Sequence, residues 1–104
     1  MIEPAVTPEP PYYAVIFTSL RSPGDNGYAA MADKMLALAR GQPGFLGFET
    51  ARQELGISVS YWASLEAIRQ WKEHLAHREA QGRAQDWYRA FRVRVCRVER
   101  EYGF

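Results

Sequence analysis

The feature that most constrains the fold is the run Tyr12-Tyr-Ala-Val-Ile-Phe-Thr-Ser-Leu20. Its β-branched and aromatic residues favour a strand, and Ser22-Pro-Gly-Asp25 closes it with turn-forming residues. Side chains alternate between the two faces of a sheet, yet here both sets are apolar: Tyr13, Val15 and Phe17 on one, Tyr12, Ala14 and Ile16 on the other. Neither face of such a strand should meet water. The rest of the chain must therefore supply cover for one face and something further for the other.

The following segments supply the first cover. Asp25 or Asn26 can accept hydrogen bonds from the free amides at a helix start, and Tyr28, Met31, Met35 and Leu38 recur at helical spacing up to about Arg40. Gly41 suits a left-handed helix end, and Pro43 cannot continue a helix. Phe45–Thr50 and Ile57–Trp62 read as strands joined by the short connection Arg52-Gln-Glu-Leu-Gly56. Alternation in the second puts Ile57, Val59 and Tyr61 on one face, with Ser58, Ser60 and Trp62 on the other.

Ser64 is a good N-cap, with Glu66 in the first turn. Leu65, Ile68, Trp71, Lys72 and Leu75 then trace a helical stripe, and the helix should end near Gln81-Gly82. A short irregular segment leads to Trp87. Tyr88–Val98 forms a last strand in which Phe91, Val93 and Val95 alternate with Arg92, Arg94 and Cys96.

The order β-α-β-β-α-β predicts an α+β ferredoxin-like plait: two helices on one face of a four-stranded antiparallel sheet. Two helices cover one face only. Pairing of two sheets in a homodimer is the economical cover for the second. With 104 residues the chain fits one domain, residues 12–104, preceded by an extended tail, residues 1–11, that holds four of the six prolines. The tail lacks the basic start and apolar core of a secretory leader.

Composition excludes several partners. Thirteen basic and twelve acidic residues leave a net charge of +1, which gives no general pull toward nucleic acid or an anionic membrane. The longest purely apolar run, Tyr12–Phe17, is too short to span a bilayer. The basic stripe Arg89, Arg92, Arg94, Arg97 and Arg100 reads as a solvated strand face paired with Glu99 and Glu101. The last strands also lack the aromatic motif of an RNA-recognition plait. A single cysteine, Cys96, excludes an internal disulfide and reads as a small buried hydrophobe, in keeping with a reducing, cytoplasmic setting.

There is no phosphate-binding glycine loop, nucleophile elbow or zinc motif. His74 and His77 lie three apart on one helix without a third ligand at matching spacing, so a polar helix edge is expected rather than a metal site. At about 100° per residue, His74 lies about 60° round the helix from Trp71 and borders the same region. The aromatic set Phe17, Tyr61, Trp62, Trp71 and Trp87 exceeds what core filling requires. It suits a flat apolar ligand in a cleft between helices and sheet.

Pro43-Gly-Phe-Leu-Gly-Phe and Tyr61-Trp-Ala-Ser-Leu-Glu-Ala-Ile-Arg-Gln-Trp71 resemble the antibiotic biosynthesis monooxygenase family, over about residues 12–100. The ending Trp87-Tyr with Arg92-Val-Arg-Val is similar to one bacterial subgroup of it. The resemblance implies a homodimeric α+β barrel of ferredoxin-like subunits. It also implies oxygenation of a planar phenol or quinol by molecular oxygen with no metal or organic cofactor, Trp71 and His74 or His77 standing at the catalytic position and Phe17, Tyr61, Trp62 and Trp87 around the substrate. A haem-degrading branch is marked by an Asn, a Trp and a His. Trp71 matches the Trp, but Phe17 and Gln81 stand at the other two positions, which places haem second. A non-catalytic small-molecule-binding or stress-response dimer is the alternative from another functional class.

Overall fold

The computed structural model describes residues 3–76 and 84–104. Its elements are β1 (Tyr12–Arg21), α1 (Tyr28–Arg40), β2 (Phe45–Arg52), β3 (Leu55–Trp62), α2 (Leu65–Ala76), a single turn α3 (Ala84–Trp87) and β4 (Tyr88–Val98). The strands form one antiparallel four-stranded sheet in the order β2-β3-β1-β4. This is the ferredoxin-like α+β plait, with the two-sided strand β1 inside the sheet as its composition requires.

The helix starts form as their residues dictate. The Asp25 carboxylate accepts from the amides of Gly27 (3.0 Å) and Ala29 (3.2 Å), and Ser64 Oγ accepts from the amide of Ala67 (3.0 Å). The end of α1 differs from the expectation. Gly41 is right-handed (φ −86°), while Gly44, three residues on, takes φ +83°. The reason is close packing: a Cβ on Gly44 would lie 2.6 Å from the Cβ of Ala67, so only glycine lets α2 approach the entry to β2. The β2–β3 connection is also tighter than expected, because pairing continues to Arg52 opposite Gly56 and leaves Gln53 and Glu54 at the tip. The segment before Trp87 is a helical turn rather than irregular, and the expected end of α2 near Gln81-Gly82 lies outside the described residues.

Register assigns the faces. Tyr13, Val15, Phe17 and Ser19 stand across from Trp62, Ser60, Ser58 and Gly56 of β3, and from Arg97, Val95, Val93 and Phe91 of β4. Both helices lie over this face: Trp71 of α2 stacks on Trp62 (ring centroids 6.0 Å apart), and Tyr28 of α1 meets Tyr88 edge-on (5.6 Å). On α2, Ala67 is buried and Ile68, Trp71, His74 and Leu75 are half-buried. Three residues of the expected stripe, Ile68, Trp71 and Leu75, thus lie on the half-buried side, while Leu65 and Lys72 are exposed.

The opposite face carries Tyr12, Ala14 and Ile16 beside Tyr61 and Val59. The N-terminal segment covers part of it. Ala5 donates its amide to Glu49 (2.9 Å), and Thr7 donates its hydroxyl to that of Tyr12 (2.9 Å), leaving Tyr12 and Ala14 buried. The tail thus supplies some of the cover that was expected to need a second subunit, while Leu55 and Ile57 on the same face stay exposed. The β4 arginines are exposed as expected but unpaired with Glu99 or Glu101, since Glu101 accepts from Thr7 and from Tyr12 (3.0 Å). Cys96 is half-buried opposite Ala14.

Candidate functional site: a groove with two aromatic ends

Between helices and sheet, few side chains are fully enclosed. Trp62 is completely buried, and Ala39 and Ala67 are the buried residues of the two long helices among the described residues. Met31, Met35, Val15, Phe17, Phe48 and Trp71 are half-buried, so the layer between helices and sheet, here called the groove, is incompletely closed.

One end of the groove is a stack. Phe45 meets Trp62 edge-on (5.4 Å), Trp71 lies nearly parallel to Trp62, and the His74 imidazole lies nearly parallel to Trp71 (5.7 Å, planes 18° apart). The floor beside it is polar. Ser60 Oγ accepts from Trp62 Nε1 (2.9 Å), and Ser58 Oγ shares a hydrogen bond with Thr50 Oγ1 (2.8 Å).

The other end, four residues along β1, gathers Phe17, Tyr28, Tyr88 and Phe91. Tyr88 touches the other three rings at centroid distances of 5.2 to 6.2 Å. Two guanidinium groups border it: Arg21 lies 3.6 Å over the ring of Tyr28, and Arg52 donates to the carbonyl (3.3 Å) and hydroxyl of buried Ser19. Burial, and next the Tyr28 hydroxyl, push the Tyr88 phenol well above its usual range, while the charges of Arg52 and Arg21 pull against that rise.

The sequence-predicted residues are thus divided. Trp62, Trp71 and His74 share one end, and Phe17 stands at the other. Tyr61 is on the opposite face of the sheet, where it packs edge-on against Tyr12 (5.9 Å) and donates to Glu49 (2.5 Å), so it lies apart from the groove. Burial and then Glu49 raise its phenol well above the usual range. Trp87 is buried, with Nε1 donating to the Asn26 carbonyl (3.0 Å), and braces the start of α1 rather than presenting a ring to the groove. His77 falls outside the described residues. Sequence reasoning missed Tyr28, Tyr88, Arg21 and Arg52. The alternation that places Ser58 and Ser60 on the face of Trp62 is a usable signal for the floor, but no sequence signal brings Arg52 to Ser19.

A family model described as antibiotic biosynthesis monooxygenase matches residues 11–83. An uncharacterized protein of Bacillus subtilis, YqjZ, is 49% identical over 101 residues, covering 94% of this chain and 89% of that protein. Among solved structures, SnoaB of Streptomyces nogalater, described as a cofactor-independent oxygenase, superposes with a TM-score of 0.70 at 12% identity, covering 88% of this chain and 97% of its own. Rv0793 of Mycobacterium tuberculosis superposes with a TM-score of 0.76 at 15% identity, covering 88% of this chain and 99% of its own. At these identities the structural likeness concerns the fold.

Proposed function

The chain belongs to the antibiotic biosynthesis monooxygenase family, and we propose that it oxygenates a planar phenol or quinol held in the groove, using molecular oxygen and no bound cofactor. The observation that carries this reading is the ring stack Trp62–Trp71–His74 above a floor of serine hydroxyls. An aromatic ligand can continue such a stack, and its hydroxyl can come within reach of an imidazole.

His74 then serves as the base. Removing the phenolic proton leaves an electron-rich anion that can give an electron to oxygen. In the balanced reaction one oxygen atom enters the ring as a quinone carbonyl. The other leaves as water with two hydrogens, one from the ring carbon and one from the hydroxyl. Trp71, backed by the buried Trp62, holds the ring, and Phe17 bounds it at the far end. His77 is the next candidate base should His74 prove dispensable. The working unit in this reading is a homodimer paired through the sheets, supported by Leu55 and Ile57, which are left about half exposed (49% and 44%) on the face without helices.

The test is oxygen uptake and product mass with a set of phenols and quinols. Turnover should fall about a hundredfold or more in His74→Ala, with binding retained. Unchanged turnover in both His74→Ala and His77→Ala would remove the base. Absence of turnover with tight binding would instead favour the non-catalytic binder, a reading supported by Phe17, which packs against Tyr88 and Phe91 where a polar partner for the substrate would otherwise stand.

A further inference from the structure

The sheet face turned away from the helices is covered at one end and bare at the other. The N-terminal segment lies over the end where β1 begins and β3 stops. The Ala5 amide donates to Glu49 (2.9 Å), and the hydroxyls of Thr7 and Tyr12 and a carboxylate oxygen of Glu101 lie 2.9 to 3.0 Å from one another. Gly47 leaves room for this seat, because a Cβ there would stand 3.1 Å from that of Ala5. The segment is thus tied at Ala5 and Thr7. Its Pro4, Val6 and Pro8 are exposed, Val6 at 89%, so it presents a second apolar surface above the one it covers.

The bare end begins about 13 Å away. Gly47 stands across from Tyr61, and Ile57 and Leu55 lie four and six residues back along β3, about 13 and 20 Å. Both stay exposed, out of reach of their own segment. Register sets Thr18 and Arg92 beside Ile57 on this face, and Ile16 and Arg94 beside Val59 one row nearer the segment. Charge is divided in the same way. Glu3 and Glu9 on the segment and Arg92 and Arg94 at the bare end are exposed, and among the described residues none of the four forms an ion pair.

We propose that the N-terminal segment is an arm that docks on a second copy of this chain, Val6 seating on the partner's Ile57 and Leu55 and Glu9 meeting the partner's Arg92 and Arg94. This rests on the reading of the working unit as a homodimer paired through the sheets, and it names the parts that meet. A two-fold axis between facing sheets can run along the strands or across them. Along the strands, segment lies on segment and bare end faces bare end, which wedges the sheets apart at one end and leaves a gap at the other. Across the strands, the ends exchange: each arm fills the bare end of the other copy, and both contacts form at once. This axis also keeps β2 over β2 and β4 over β4. The segment crosses from its entry into β1 at Tyr12 to Glu49 on β2, so Val6 falls on the side of β2 and β3, where Ile57 is, and Glu9 on the side of β1 and β4, where the arginines are.

The experiment follows dissociation of the full chain by sedimentation equilibrium, with disulfide trapping as the geometric readout. Val6→Asp should weaken the dimer about tenfold or more, and circular dichroism should show the fold intact, since Val6 is exposed in the single subunit. Glu9→Arg should weaken it about threefold or more, and adding Arg92→Glu with Arg94→Glu should restore the affinity. In a Cys96→Ser background, Val6→Cys together with Ile57→Cys should cross-link the dimer under mild oxidation, and neither single variant should. Cross-linking by Val6→Cys alone would place segment on segment and overturn the arm. A dimer unchanged or tightened by Val6→Asp, or an intact dimer that the double cysteine variant fails to cross-link, would overturn it too and leave the sheet-paired dimer standing. A native chain that stays monomeric at every concentration would remove that dimer and the arm with it.

Discussion

The two ends of the groove share one sheet face and a similar number of rings, yet they are built on opposite principles. At the Trp62 end, packing is close: a fully buried indole, a near-parallel indole and imidazole, and a glycine that lets α2 approach β2. At the Tyr88 end, arginines lie over a tyrosine ring and against a glycine, bonded to backbone carbonyls and a serine. The difference teaches that tight ring packing and positive charge are placed in separate halves of the layer. A substitution should therefore be costly to stability at the first end and cheaper at the second.

The largest expected effect tests the Trp62 end. Trp62→Ala removes the most enclosed side chain together with its two ring contacts, and should lower stability by about 3–5 kcal/mol in urea unfolding. A loss near 1 kcal/mol would mean that the core lies elsewhere. Next is Gly44→Ala, which meets both the Ala67 Cβ and a positive φ, with an expected loss of about 2–3 kcal/mol. A neutral result would show that α2 can slide away from β2.

Asp25→Ala, at the entry to α1 beside the arginine end, removes the acceptor of two helix amides and should cost about 1 kcal/mol. Alkaline pH separates the ends in another way, because the tryptophans do not titrate and Tyr88 does. Its folded value lies above the ordinary tyrosine value of 10.0, so the folded chain keeps a proton that the unfolded chain releases. The contribution is fully present below pH 10 and is lost as pH rises through the folded value. Stability should therefore decline above pH 10, and Tyr88→Phe should lessen the slope. Tyr61 and Tyr12, whose phenols burial also raises, account for the remainder.

The smallest effect is the sharpest form of the comparison. Gly56→Ala should change stability by less than about 0.5 kcal/mol, because the atom displaced is the tip of a flexible side chain, whereas the same substitution at Gly44 meets the Cβ of a buried helix residue. Equal costs at the two glycines would erase the distinction between the ends.

Much of the fold was legible along the chain because its signals are local. The bounds of α1 and β4, the acceptance of helix-start amides by Asp25 and Ser64, the faces of β3 and the plait order all follow from spacing and from residues that compete for helix amides. The site was legible only in part. Trp71 and His74 are three apart on one helix, so their stacking follows from helical geometry.

What tertiary structure decided is how distant segments meet. Tyr61 and Trp62 are neighbours in sequence, but alternation sends them to opposite faces, and only the placement of the helices shows which face is the groove. Arg52 reads as the start of the β2–β3 connection until hairpin register sets it opposite Gly56, where it reaches Ser19. The tail reads as free until Glu49 and Tyr12 bind it over the second face. Sequence alone determined the elements, since a strand or helix is dictated by side-chain periodicity within a few residues. Pairing register and the fit of one layer on another depend on contacts between residues tens of positions apart, and these decided where the charge and the rings came together.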